Sequence, residues 1–470
     1  MVAIPFPLSS MPGAKPQESG GRLINAFAEP LADTARSDAV RRRAPGLARF
    51  ASTNLTGFRG AIFVNGTVYA AFQDTAVTIS SSGTVTQLTG SLSGSDPVFF
   101  ARNNAAPTPN IVAVCNAGAF TLSATTVSSY PDVNVGNPNS VAFQDGYFFF
   151  SYGDGTIQAS GLNSTSLNTL DRTKSQAKPG GLLRVVSWQN NLVAFGAAYI
   201  EWYSNTANPV AFPFSRSNWV PRGLASATAV AGMEDGFGAA LLFVGDDNTV
   251  LSMDGYSLNK VSPPDLDRLI QAVSDKTTLE ASSYISGGHH FWQLSSPSWT
   301  WVYDVNNGMW HERNSLGLLR SRMKGSVYAF SKWLCGDTKS GNILSIDPSV
   351  FKEDTDNLSY VVESGPVDGF PSRTLVAKAD FQLATGVGDY TSTDITVVNP
   401  TAQIAWSDDG GVTWKNPLFR SIGQPGQWKN KITVTRTGLT SSFGRRWRVT
   451  VDDPVYVGLM GGDQKAELRP

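Results

Sequence analysis

Little in this chain invites redox or metal chemistry. Two cysteines among 470 residues, Cys115 and Cys335, cannot make a disulfide framework or a zinc spacing, and they read as buried free thiols. The histidines are only three, His289, His290 and His311. His289 and His290 are adjacent, so in a strand they leave on opposite faces and cannot chelate one metal together. Charge is scarce too: 37 Lys and Arg nearly cancel 38 Asp and Glu, for a net charge of -1. Such a balance gives the whole chain no pull toward nucleic acid or membrane, and only local patches could supply one. No run approaches the ~18 apolar residues of a membrane-spanning helix. The opening Met1-Val-Ala-Ile-Pro-Phe-Pro7 lacks the basic region and apolar core of a signal peptide, so a protein made and kept in solution, or built into an assembly, is expected. A nucleophile elbow, a phosphate loop and a Ser/His/Asp order are also missing. The acid pairs Asp246-Asp247, Asp408-Asp409 and Asp452-Asp453 sit at turn-like positions, and nothing selects two acids as a glycosidase pair. No catalytic, cofactor-binding or metal-binding residue is assigned.

Turn formers and aromatics are abundant instead. Gly and Pro number 45 and 26, and aromatics make up 11% of the chain. Few charges with many Thr, Val, Phe and Trp describe a β protein. Between Gly57 and Thr355 one theme recurs seven times, at intervals of roughly 35–50 residues, the range of propeller blades. Its clearest copies are 60–72, 140–151 and 183–195, each a pair of apolar runs around an Asn-Gly, Asp-Gly or Asn-Asn turn. Those residues tolerate the positive φ of a tight hairpin. Hairpins at this period bury their faces only against neighbours, and a ring of them closes without long free edges.

The expected fold is all-β: a six- or seven-bladed β-propeller over residues 57–355, an irregular N-terminal arm over 1–56, and a C-terminal antiparallel β-sandwich over 356–470. The arm is Pro/Gly/Ala-rich. A blade could be closed by strands from both chain ends. One short amphipathic helix is predicted over Ser262–Val273, with prolines at its start and Leu266, Leu269, Ile270 and Val273 at helical spacing. The C-terminal region alternates with period two, as in 379–383, 403–406, 431–435 and 447–451.

Three motifs invite a function. Ser407-Asp408-Asp409-Gly410-Gly411-Val412-Thr413-Trp414 fits the Asp-box pattern, which resembles the repeated motif of sialidases and other glycan-active propellers. A single copy outside the repeats favours a structural turn, with Ser407, Asp409, Gly411 and Trp414 locking a hairpin. Trp292, Trp299, Trp301 and Trp310 could stack sugars, but the alternation around Trp299 and Trp301 is a strand pattern and favours core packing. Two basic clusters, Arg41-Arg42-Arg43 and Arg445-Arg446-Trp447-Arg448, are candidate contacts to a partner or to phosphate. In the second, alternation puts Arg446 and Arg448 on one face and Trp447 on the other.

Three stretches carry a wider resemblance: Gly21–Pro30 with Arg43–Leu47, Leu183–Trp188 running through to Ser204, and the ending from the Asp-box turn to Val455. In these the chain resembles the packaged-DNA stabilisation proteins, also called tail hub or nozzle proteins, of short-tailed (podovirus-type) bacteriophages. The resemblance implies a structural virion protein of the tail, made in the host cytoplasm and not an enzyme. It implies a homohexameric ring below the portal-adaptor that extends the DNA-ejection channel, retains packaged double-stranded DNA and anchors tail spikes, fibres or a needle. It implies no cofactor and no membrane insertion. The alternative is a carbohydrate-binding or glycan-degrading propeller protein.

Overall fold

A computed structural model describes residues 1–470 except 33, 34, 36, 208–211, 368–371 and 470. The chain divides into two compact units: residues 49–297 with 322–346, and residues 1–48 with 298–321 and 347–470.

In the first unit the repeats become radial blades. Five are four-stranded antiparallel sheets, beginning at Phe58–Val64, Phe99–Arg102, Ser140–Gln144, Leu182–Trp188 and Val230–Ala231. The sixth contributes the hairpin Glu280–Ser286 with His289–Ser295. The seventh holds Met323–Ala329, Lys332–Asp337 and Asn342–Asp347, and its fourth strand is the early Gly46–Ser52. Ser52 Oγ donates to Asn342 Oδ1 at 2.7 Å there, so a strand from before the first blade closes the last. The first strands neighbour one another around a ring, Met323–Ala329 returning to Phe58–Val64. Among the described residues the blade count is therefore seven.

The tight turns follow from their residues. Asn65-Gly66 has φ of 46° and 77°, and Asp145-Gly146 has 49° and 92°, both residues positive as a two-residue hairpin turn requires. The third turn is Gln189-Asn190, at 47° and 61°, one residue earlier than the Asn-Asn expected. Trp188 pairs with Asn191, and that pairing places Trp188 and Val186 in one core.

Why the blade strands read as unbroken apolar runs is clear from their packing. In Ile111–Cys115, Ile111, Ala113 and Cys115 pack toward the first blade, while Val112 and Val114 pack toward the third. In Tyr147–Ser151, Phe148 and Phe150 face the second blade and Phe149 the fourth. Both faces are buried, so the polar half of the usual alternation disappears. The expected helix is present as Pro264–Ala272, with Leu266 and Ile270 buried and Lys276 Nζ donating to Val273 O at 2.7 Å.

One ion pair fastens the seventh blade. Arg322 Nε and Nη2 donate to Asp337 Oδ1 and Oδ2 at 2.9 and 2.5 Å, with side chains only 3% and 0% exposed. Asp337 also takes the Lys339 amide at 2.9 Å. Asp337→Ala strands a buried guanidinium, and a loss of about 3–5 kcal/mol is expected. Urea denaturation would show a lower midpoint, with hydrogen exchange accelerating first in 323–346; an unchanged midpoint would count against it.

The second unit is a sandwich of two sheets. One runs Ala26–Pro30, Ala39–Arg43, Gly458–Arg469, Arg373–Leu383 and Ile432–Leu439, with Val2–Ala3 also pairing Gly458–Arg469. The other runs Met309–Glu312, Arg22–Ile24, Tyr360–Glu363, Arg446–Val451, Thr401–Ser407 and Leu418–Ser421. Ile4, Phe6, Leu23, Phe381, Trp447 and Val449 belong to the core of this unit. Residues 1–56, expected as an irregular arm, instead supply five strands. These strands are two to seven residues long, too short for a local period, and all but Ala26–Pro30, which pairs with Ala39–Arg43, have partners hundreds of residues away. The second half of the sixth repeat also belongs to this unit: Ile24 pairs with Glu312, and Arg22 Nη2 meets Glu312 Oε2 at 2.6 Å.

Candidate functional site

The first basic cluster is set by strand geometry. Arg41 and Arg43 share the inward face of Ala39–Arg43, and Arg42 points the other way. Arg41 donates Nε to Pro7 O at 3.1 Å and Nη2 to Phe6 O at 2.7 Å. Arg43 donates Nη1 to Asp453 O and Val455 O at 2.8 and 3.0 Å, and Nη2 to Val451 O at 2.6 Å. Among the described residues no carboxylate meets either guanidinium, and burial pulls Arg43 down to about 10. Both were expected as partner contacts; here they instead satisfy backbone carbonyls, an obligation for any buried carbonyl outside a ladder. Arg42 remains partly exposed, paired with Glu29 and donating to Tyr456 Oη at 2.6 Å.

The second cluster and the Asp-box come together. Arg446 is buried and donates Nη2 to Ser19 O and, at 3.2 Å, to Gln17 O. Arg448 stays partly exposed, donating Nε and Nη2 to Glu363 Oε1 at 2.9 and 2.6 Å, its guanidinium 3.9 Å over the Trp414 ring. Trp447 lies on the opposite face, fully buried, as alternation requires. Trp414, expected to help lock the hairpin, is half-buried under Arg448, and Trp447 from the neighbouring strand fills the core.

The turn itself is the lock that its residues describe. Ser407 Oγ donates to Asp409 Oδ1 at 2.7 Å and accepts from Gly411 N at 2.9 Å. Asp409 also takes the amides of Val412 and Thr413 at 3.0 and 2.9 Å, and Gly411 sits at φ 94°. Burial alone would raise the Asp409 carboxyl, but the donors from Thr413, Ser407 and Val412 outweigh it and hold it at about 2. An acid whose folded value lies below its unfolded one stabilises above the unfolded value and loses that contribution as pH falls. Stability should therefore drop between about pH 4 and 2, and Asp409→Asn should flatten that part of the profile. Acid titrations followed by circular dichroism at several urea concentrations would check this; a variant with the parent's acid profile would contradict it.

Sequence reasoning placed Arg445 in the basic cluster but missed its partner: it is fully buried and grips Asp408 with Nε and Nη2 at 2.7 and 3.1 Å. Its guanidinium lies 5.7 Å from the ring centres of both Trp406 and Trp447. The signal available was the first Asp of the pair, Asp408, a carboxylate not needed by the turn. Trp292, Trp301 and Trp310 are buried, which leaves Trp299 as the partly exposed member of that group. His290 packs on Phe237 and His289 on Phe291, and among the described residues no group of three potential ligands could hold a metal. The outer surface of the second unit carries exposed large apolar residues, Trp428 at 74%, Tyr390 at 66%, Phe443 at 60% and Phe419 at 59%.

Two family models match in sequence. One, described as bacteriophage P22 Gp10, beta-propeller, covers residues 22–351, and the other, bacteriophage P22 Gp10, beta-sandwich, covers residues 371–461. No curated protein matches the chain. Among solved structures, the crystal structure of the computationally designed Ika8 protein is 10% identical, covering 70% of this chain and 100% of that one at a TM-score of 0.39. The WD40 beta propeller domain of Doa1 is also 10% identical, covering 64% of this chain and 97% of that one at a TM-score of 0.41.

Proposed function

Because this chain belongs to the bacteriophage P22 Gp10 family, a family of structural phage proteins, we propose that it forms a ring-shaped tail hub below the portal-adaptor. In that place it extends the ejection channel, keeps packaged DNA inside the capsid and offers attachment sites for spikes, fibres or a needle. The role is mechanical, and no residue is given a catalytic part. The observation that carries this reading is the pair of family matches, which run through both units in order and leave few residues outside them.

Two properties of the chain support the ring and the channel. Exposed Trp428, Tyr390, Phe443 and Phe419 give the second unit large apolar side chains that a neighbouring copy could cover. A net charge of -1 suits a DNA conduit, because a strongly basic lumen would hold phosphates and slow ejection. With residues 1–48 folded into the second unit, ring contacts fall to its outer surface rather than to a free arm. Arg42 and Arg448 are the members of the two basic clusters still partly exposed for an acidic partner.

The experiment is a phage lacking this gene product. Its heads should fill with DNA and then lose it, and supplying the chain in trans should restore retention. Null particles that keep their DNA would remove the stabilising role.

A further inference from the structure

The seven first strands of the propeller surround a cavity of about 550 Å³, lined by residues of every blade, within the ~300–1,000 Å³ of small-ligand sites. Its wall carries charges of both signs: Arg59, Arg102, Arg184 and Lys324 against Glu234, Asp235 and Glu280. Several are already engaged. Arg59 grips Asp96 at 3.1 Å and backbone carbonyls around it, and Lys324 pairs with Glu280 at 2.9 Å.

Arg184 and Glu234 differ from these. The Arg184 guanidinium lies 4.4 Å over the Phe99 ring and donates Nη1 to Ala227 O at 2.9 Å. Ring and carbonyl fix its plane, while among the described residues no protein acceptor meets Nε or Nη2. That edge is the two-pronged donor that matches a carboxylate. Glu234 is held through Oε2 by the Gly232 amide and the Ser283 hydroxyl, both at 2.6 Å, and Oε1 meets no donor among the described residues. Both line the cavity, with no direct ion pair between them among the described residues; burial is the largest influence on each, lowering Arg184 and raising Glu234, and their mutual attraction works against it. Phe100, Phe143 and Val186 add an apolar wall.

We propose that this cavity binds a small zwitterion of the amino-acid type, with its carboxylate on Arg184, its ammonium on Glu234 and its side chain against the apolar wall. Opposite charges anchored separately in a confined space are complementary to a molecule that carries both, whereas a simple anion would leave Glu234 unanswered.

Calorimetric titration of the full chain with free phenylalanine, leucine, glutamine, lysine and glutamate tests this. At least one is expected to bind saturably with one site per chain. Acetylating its amine or amidating its carboxyl should each weaken binding by about tenfold or more, the effect of losing a charged hydrogen bond. Arg184→Lys and Glu234→Gln should each do the same while leaving the circular dichroism spectrum unchanged. If Arg184→Lys does not fold, Glu234→Gln and the two blocked ligands still decide. Equal affinity for free and blocked forms, or no saturable binding by any of the five below about 10 mM, overturns the site.

Discussion

A chain starting at residue 57 is expected to lose its C-terminal unit and to leave its propeller open. The deletion removes Ile4, Phe6 and Leu23 from a core in which each is buried. At about 1.5–3 kcal/mol for each such side chain, these alone approach the ~5–15 kcal/mol by which a domain is stable. It also removes Arg41 and Arg43, so the carbonyls of Val451, Asp453 and Val455 lose their donors. In the propeller unit the seventh blade loses Gly46–Ser52, its fourth strand. Limited proteolysis should cut the truncated chain rapidly across 373–467, and hydrogen exchange should rise in 342–346. A truncated chain with the full chain's protection in both regions would show that these strands are dispensable.

Trp447→Ala is the point substitution with the largest expected effect. The ring is fully buried in the sandwich, 5.3 Å from Phe381 and 6.0 Å from Trp406 between centres. Its Nε1 donates to Gln464 Oε1 at 2.9 Å, and Gln464 is itself fully buried. Truncation leaves a cavity and an orphaned amide together, about 3–5 kcal/mol from the cavity alone, with the lost hydrogen bond adding to it. Urea midpoints would read this, with Trp447→Phe recovering part of the loss by refilling the space. A shift of less than about 1 kcal/mol would mean that the site collapses without cost.

The propeller was legible because its signals are local. Runs such as Tyr147–Ser151 are apolar on both faces, and the turns between them carry Asn, Asp or Gly where φ is positive. Even there the third turn slipped by one residue, since Gln189, Asn190 and Asn191 are all turn-compatible and only the pairing of Trp188 with Asn191 fixes the register. The N-terminal strands were not legible, because Arg22–Ile24 gains its partners from Tyr360–Glu363 and Met309–Glu312. Arginine runs misled for a related reason. A charge in sequence reads as surface, and only the fold shows that Arg41, Arg43 and Arg446 turn inward and donate to backbone carbonyls. Arg445 was hidden in the same way, its partner Asp408 lying in a motif read for its turn. The paired readiness of Arg184 and Glu234 depends on two different blades and leaves no trace in either repeat.

Electron microscopy of the purified chain mixed with a portal–adaptor complex tests the central claim most directly. The account predicts a ring of this protein added beneath the adaptor, with an axial channel continuous with the portal's. Particles in which the adaptor stays bare while the chain remains dispersed would contradict it.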